Sequence, residues 1–484
     1  MGLTSAISNA NSGLSAASRR AGLVSSNIAN ALTPGYVRRD LSVSENVAGG
    51  IGAGVKVSGV SRAIDPAITN DRRVADGMAQ RDQLISTAYA TLSNALGDPA
   101  DPYSLFAQYE SFETALRSLS QTPESQPMQS QVLDAANALV FGFQQLSVQA
   151  QTMRQNADSE IARQVSFVND AVKQIESLNN QISTGGSGGR DVAALEDQRK
   201  VLIDQVAAII PVREVARDYG KVDLITNEGV FLLAGKARPI EFTPANIVTA
   251  DATLANGALS GLTVAGADIT PGGGSQAIQQ GALAGLFETR DRVGVDFQTK
   301  IDGLARDMIE RFEGIDPTLA VGAPGLFTDA GAAFDPANEA GLASRITLNA
   351  AVDPAQGGSL WRLRDGLGAA GEGAAGNGDL LTVLLDALTE MKSIPAGAGV
   401  EGQKTAASAV ADVSSLIGAA RMTAETRLAA NMARAQSLEE AELAVTSVDT
   451  DLEMQKLLII EQAFAANARV IQTADEMLRT LLEI

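Results

Sequence analysis

The sequence predicts a mainly α protein with a β-rich insert, an α+β class. The expected architecture is an elongated out-and-back helical rod whose N- and C-terminal helices pair as a coiled coil at one end. Three observations carry this expectation. Apolar stripes at alternating three- and four-residue spacing occupy both ends of the chain. Long helical patterns flank the middle on both sides. Between them, over 211–276, the hydrophobic period falls to two and Gly and Pro become frequent.

At the N-terminus Leu3, Ile7, Ala10, Leu14, Ala17, Ala21, Val24 and Ile28 form a heptad seam. It stops at Thr33-Pro34-Gly35-Tyr36, where Pro-Gly suits the central positions of a type II turn. Leu41, Val43, Ile51, Val55 and Val57 then alternate across a link containing Gly49, Gly50, Gly52 and Gly54, which predicts a strand pair. Leu84, Ala88, Leu92 and Ala95 mark one helix before Asp98-Pro99. Leu105, Tyr109, Phe112 and Leu116 mark the next, ending near Thr122-Pro123. The stretch 129–182 is the longest, on the order of 80 Å if unbroken, and its polar run 149–159 is a place for a kink. Thr184 to Gly189 ends it, with Asp191 as the cap of the following helix, which stops before Pro211.

Val222, Leu224 and Thr226 alternate before a turn at Asn227-Glu228-Gly229. Helix resumes over 277–312. The segment 315–378 is rich in Gly, Ala and Pro, with a strand expected at 345–349. Helices over 379–391 and 403–445 lead to the last one. There Val445, Val448, Leu452, Ile459, Ala463, Ala466, Val470, Thr473, Met477, Leu481 and Ile484 form a second stripe, which Leu457, Ile460, Phe464, Ile471, Leu478 and Leu482 widen.

Two meanings fit the terminal stripes. They finish one domain core, or they meet each other and then pack against neighbouring subunits. The N-terminal seam favours the second. Three of its eight positions are Ala, and at about 25 cal/mol per Å² such a face stabilises weakly. A lone pair of these helices should be marginal, so the termini are expected to be mobile in the monomer and ordered in an assembly.

At 484 residues the chain suits roughly three domains of about 150. Its net charge of −20 argues against nucleic acid and anionic membrane surfaces as partners. The absence of Cys excludes disulfides, thiolate nucleophiles and Cys-ligated metals. The absence of His removes Ser-His-Asp catalysis and imidazole ligands. No membrane-spanning run and no cleaved signal peptide are expected. Gly185-Gly186-Ser187-Gly188-Gly189 matches a nucleophile elbow only formally, because a helix precedes it and no His exists to act as base. Gly371-Glu372-Gly373-Ala374-Ala375-Gly376 lies in a Gly/Ala tract and is read as a loop. Asp449, Asp451 and Glu453 have calcium-loop spacing, but Met454 and Ile460 stand where that loop needs Gly and Glu. These acids are expected at a helix start instead, where carboxylates complement the dipole. No catalytic residue, metal site or cofactor is expected. A secreted carbohydrate-active hydrolase using a carboxylate pair stays open as a rival of another class.

Asn27-Ile28-Ala29-Asn30 followed by Thr33-Pro34-Gly35-Tyr36 resembles the N-terminal signature of the bacterial flagellar axial proteins (rod, hook and hook-associated). The run from Glu461 to Leu478 resembles the matching C-terminal signature. Leu195–Ile203, Gly281–Asp291 and Gly52–Arg62 are similar to the hook-associated branch, against a rod or hook subunit as the alternative. The resemblance implies a structural subunit of the hook–filament junction with no enzymatic activity. It implies secretion through the flagellar type III export apparatus to the cell exterior. It also implies partners: other copies of itself in a ring, the hook protein, a second junction protein (hook-associated protein 3) and an export chaperone.

On this likeness 1–45 and 441–484 would form the inner tube, 46–210 and 277–440 the helical rod, and 211–276 a small outer insert. Subunit packing would use Leu3, Ile7, Leu14, Val24, Asn27, Ile28, Asn30, Pro34, Gly35 and Tyr36. Packing and chaperone binding would use Leu452, Ile459, Ala463, Phe464, Ala466, Asn467, Val470, Met477 and Leu481.

Overall fold

A computed structural model of the chain describes residues 2–48, 51–187 and 191–482. The outgoing half runs α1 (Leu3–Ala29), β1 (Arg39–Ala48), β2 (Ile51–Arg62), α2 (Pro66–Leu96), α3 (Leu105–Gln121), α4 (Gln126–Ser187) and α5 (Ala193–Ile209). The strands β3 (Val212–Ala216), β4 (Val222–Thr226), β5 (Phe231–Ala234), β6 (Lys236–Ala237), β7 (Ile240–Glu241), β8 (Thr263–Val264) and β9 (Ala267–Asp268) follow. The return half holds α6 (Gly281–Glu288), α7 (Gly294–Phe312), β10 (Phe327–Asp329), α8 (Leu342–Arg345), β11 (Ile346–Leu348), α9 (Arg362–Asp365), α10 (Asp379–Thr389), β12 (Lys392–Ser393), β13 (Gln403–Lys404), α11 (Ala406–Thr446) and α12 (Thr450–Leu482).

Helix makes up 62% of the chain, and the sheets are small and antiparallel, so the class is mainly α with β additions, as expected. The out-and-back path is visible in the packing. α1 lies on α12, and α2 lies on α11. The hairpin of β1 and β2 runs alongside α1. Of the expected elements, Gly49 and Gly50 of the hairpin link, Gly188 and Gly189 of the loop after α4, and Ile484 of the last stripe lie outside the described residues.

Local chemistry explains the helix ends. Asp65 caps α2 by accepting from the Ala67 amide at 2.9 Å, with Pro66 at the first helical position. Asp191 accepts from the Ala193 amide at 2.9 Å at the start of α5. Asp449 accepts from the Asp451 and Leu452 amides at the start of α12. On α2 the buried row is Ile85, Ala88, Leu92 and Leu96. Ala95 is exposed, because i, i+4 spacing from Leu92 selects Leu96 instead.

α4 has 62 residues and spans about 90 Å without a break. The polar run 149–159 stays within the helix. Arg154 and Asp158 are fully buried there. Arg154 donates to the carbonyls of Arg290 and Thr249 at 2.9 Å. Asp158 pairs with Arg290 at 2.6 Å and accepts from the Ala245 amide at 2.7 Å. The run is therefore a buried polar socket that grips the loop 245–252 and the π-turn Thr289–Val293 between α6 and α7.

Two large cores divide the length of α4. Its first half joins α3, α7, α10 and the start of α11 around Phe112, Phe143, Phe297, Phe312 and Phe327. The Gly/Ala/Pro-rich stretch belongs to this core through Leu342, Ile346, Val352 and Leu363. The second half of α4 joins α5, α6 and the strands around Ile161, Val168, Ile203, Leu224, Leu232, Leu262 and Phe287. The strand-rich segment thus shares its main core with helices on either side of it. Strands β3 to β6 form one sheet in chain order, and β7 to β9 a second. In β4 Asp223 is buried beside Val222 and Leu224. Its carboxylate accepts from the Gly235 amide at 2.8 Å and pairs with Arg217 at 3.1 Å, which breaks the expected alternation.

Candidate functional site

The terminal helices meet along the N-terminal seam. Ala10, Ala17 and Val24 of α1 are buried, and Leu3, Ile7, Leu14, Ala21 and Ile28 are half-buried. Small residues allow close approach. Asn467 of α12 stands 2.9 Å from where a Cβ on Gly13 would lie. The hairpin is pinned to α1 by the Val55 amide, which donates to Ser12 Oγ at 3.0 Å.

α12 has two apolar faces, and the one that touches α1 is not the longer stripe. Glu453 and Ala474 are buried, and Leu457, Ile460, Asn467 and Ile471 are half-buried. Leu452, Ile459, Ala463, Phe464, Ala466, Val470, Met477 and Leu481 face solvent, with Ile459 65% and Leu481 61% exposed. Leu457, Ile460 and Ile471, which extend the stripe in sequence, are instead the contact within the chain. A period of 3.5 cannot say which of two apolar rows meets the partner helix.

At the base of the pair lies a polar latch. Asn27 is 1% exposed and uses its whole amide. Its Nδ2 donates to the Arg39 carbonyl at 2.9 Å and to Glu453 Oε2 at 3.0 Å. Its Oδ1 accepts from Tyr36 Oη at 2.8 Å and from the Arg39 amide at 3.1 Å. Glu453, also 1% exposed, accepts from Lys456 Nζ at 2.7 Å. Burial works against the Lys456 ammonium, but Glu453 and Asp40 outweigh it and hold its pKa above the usual lysine value. Arg39 lies 4.8 Å over the Tyr36 ring and donates to Asp197 Oδ2 at 2.7 Å, while Arg62 donates to Oδ1 of the same carboxylate at 2.8 Å. The Arg38 amide donates to the Thr446 carbonyl at 2.9 Å, so the end of α11 joins the same knot.

The Thr33–Tyr36 turn forms as expected, with the Tyr36 amide donating to the Thr33 carbonyl at 3.1 Å. Gly35 has φ +77°, and a Cβ there would strike Val201 of α5, so both backbone and packing require glycine. Pro34 is exposed, and Asn30 closes α1 by donating from Nδ2 to the Ser26 carbonyl at 2.9 Å. Sequence reasoning singled out Asn27 and Tyr36 as surfaces toward neighbours, whereas their polar atoms bond within the chain. It missed Arg39, Arg62 and Asp197, although Asp197 lies in the quoted segment Leu195–Ile203. Glu453 was recognised only as an acid at a helix start.

A second charged knot lies one turn further along. Arg72 and Arg73 of α2, Lys200 and Asp204 of α5, Glu214 of β3 and Glu442 of α11 interlock, with Arg73–Asp204 at 2.6 Å, Arg73–Glu214 at 2.7 Å and Lys200–Glu442 at 3.1 Å. Burial favours the neutral acids. Arg73, Lys200 and Arg72 nevertheless hold Asp204 below the usual carboxylate range, and a Thr69 hydrogen bond with Lys200 and Arg72 does the same for Glu442. Among the described residues no cluster of acids has the make-up of a metal site, and no helix is long and apolar enough to cross a membrane.

The family described as the helical domain of flagellar hook-associated protein FlgK matches residues 89–317. The flagella basal body rod family matches 7–36, and the C-terminal family of the rod proteins FlgEFG matches 443–484. Flagellar hook-associated protein 1 of Bacillus subtilis is 24% identical over 516 residues, covering 96% of this chain and 95% of that one. The protein of the same name from Salmonella typhimurium is 31% identical over 255 residues. By these matches the chain is similar to flagellar hook-associated protein 1.

The match covers 45% of the Salmonella relative, about half its length. A solved FlgK from Burkholderia pseudomallei is similar at 17% identity and a TM-score of 0.44, covering 54% of this chain and 47% of that one. All three segments that match hook-associated and rod proteins send a residue to the latch. Asn27 and Tyr36 come from the first, Asp197 from the second and Glu453 from the third.

Proposed function

We propose that the chain is a structural subunit of the hook–filament junction, exported through the flagellar type III system and assembled in a ring on the hook tip. There it would seat hook-associated protein 3 and the filament. One observation carries the reading. A single chain covers one face of α12 and leaves the other in water, although that face carries Leu452, Ile459, Phe464, Val470, Met477 and Leu481. Such a stripe finds burial against sibling helices in a tube. In this reading 1–45 with 441–484 line the inner tube, 46–210 with 277–440 form the wall, and 211–276 lie outermost. An export chaperone would hold the same α12 face before secretion, and the role involves no catalysis or cofactor.

Deleting the gene tests the proposal. Hooks without filaments and monomeric filament protein in the medium are expected, and normal filaments would reject the junction assignment. A peptidoglycan-cleavage assay separates the hydrolase rival. Cleavage abolished by an Asp or Glu substitution would overturn a purely structural role.

A further inference from the structure

We propose that a cationic cleft beside the latch receives a carboxylate-bearing segment from a second copy of the chain. The cleft has a volume of about 410 Å³ and is lined by Arg62, Arg73, Arg199, Lys200, Arg217 and Lys221, against two acids, Glu196 and Glu214. It lies where β2 hands over to α2, against α5 and the segment from β3 to β4. In a chain with 57 acids and 37 cations, six cations around one cavity are a local inversion of charge.

Most of these cations are already engaged. Arg62 pairs with Asp197, Arg73 with Asp204 and Glu214, Lys200 with Asp204 and Glu442, and Arg217 with Asp223. Arg199 is different. It is 7% exposed, and it donates from a single nitrogen, Nη1, to Asn179 Oδ1 at 2.8 Å and to the Gly220 carbonyl at 2.7 Å. Among the described residues no carboxylate comes within ion-pair distance of it, and Glu214 and Glu196 attract its charge only from further off. Arg73 Nη2 is buried without a hydrogen bond. Among the described residues Lys221 Nζ reaches only Asn180 Oδ1, at 3.2 Å. A buried guanidinium without a carboxylate is costly unless an anion completes it.

The lip of the cleft also favours a protein occupant. Tyr219 sits at φ 60°, ψ 32°, a left-handed conformation, and leaves its ring 76% exposed next to the opening. An exposed aromatic next to an unpaired cation is the usual make-up of an interface anchor. Copies brought together by apolar seams each carry −20, so their contacts need cations facing carboxylates. A polyphosphate or an anionic bilayer would meet the same charge with no seam to hold it.

The inference rests on the assembly reading, and its test separates the two. Purified full-length chain is melted with capped tetraglutamate, capped tetralysine or sodium sulfate at matched ionic strength. Tetraglutamate should raise the melting temperature by about 2 °C or more, tetralysine should not, and the rise should vanish in Lys221→Met and Arg199→Gln. Lys221 is only half-buried, so its variant guards against loss of folding. No rise with tetraglutamate, or an equal rise with sulfate, would overturn the proposal. In cells, Lys221→Met and Tyr219→Ala should reach flagella several-fold less than wild type. Wild type absent from flagella would sink the assembly reading, whereas wild type and Lys221→Met present at equal levels would sink the cleft alone.

Discussion

Asn27 shows how one side chain can join parts of the chain that are remote in sequence. Its bond to Glu453 spans 426 positions. Asn27→Ala leaves a carboxylate that is 1% exposed with Lys456 alone, and unpairs the Tyr36 hydroxyl and the Arg39 amide. A loss of about 2–4 kcal/mol in docking of the terminal pair is expected. It should appear as faster proteolysis within 3–29 and 450–460 while the rod keeps its protection. Asn27→Asp should be worse, since it places a second carboxylate oxygen where Nδ2 now meets Glu453. The Pro-Gly turn was legible in sequence, because φ, hydrogen bond and residue type are all local. The Asn27 hub was not, because its decisive partner is set only by the meeting of α1 and α12.

Asp302 gives a pH prediction at the same scale. It is 2% exposed and accepts from the Gly341 amide at 2.7 Å, the Ala343 amide at 2.8 Å and Gln298 Nε2 at 2.8 Å. Burial outweighs these donors and lifts its pKa to about 6 from 3.8. The folded state therefore binds its proton more tightly than the unfolded state. Its stabilising effect is complete below pH 3.8 and is lost as pH rises to about 6, by up to about 3 kcal/mol. Asp204 and Glu442 act in the opposite sense. Their pKa values are depressed, so their contribution is present above pH 4.5 and falls away as pH drops below it. Denaturant midpoints should peak near pH 4–5, and Asp302→Asn should flatten the limb between pH 4.5 and 6.

At the scale of the element, periodicity found every long helix. It failed in two instructive places. α12 has two apolar rows, and the row that stays in water was the one the spacing emphasised. α4 was expected to tolerate a kink at 149–159, where Arg154 and Asp158 are instead buried against loops that no local pattern reveals. The exposed row sharpens a mutational test. Ala466 faces solvent in one chain, so Ala466→Asp should leave the melting temperature of the monomer unchanged. In a packed tube the same charge would be desolvated, and incorporation into flagella should fall at least about tenfold. Incorporation at the wild-type level would remove the α12 stripe as a subunit contact. Amide exchange offers an independent check. Protection of 3–29 and 450–482 in the monomer is expected to be weaker than that of the two cores, and equal protection there would mean that one copy suffices to order the tips.

At the scale of the whole molecule the α+β class and the antiparallel return were readable, because stripes at both ends and period changes between them are features of the linear sequence. The sharing of cores was not. Residues 315–378 are rich in Gly, Ala and Pro and showed only a strand at 345–349, yet Leu342, Ile346 and Val352 are fully buried with Phe327 and Phe312. The strands after α5 close onto Ile161, Val168 and Ile175 of α4. Sparse hydrophobic residues in a flexible-looking segment give no sign of their partners until the helices that cover them are in place.

α4 runs through both cores as one uninterrupted shaft, so bending at its midpoint would tear the polar socket around Arg154, Asp158 and Arg290 and disturb both cores together. A stiff spar of this kind couples the two cores, so a displacement at one is carried to the other. In the proposed assembly each subunit's shaft would move as a solid body, with compliance confined to the small-residue contacts of the tips.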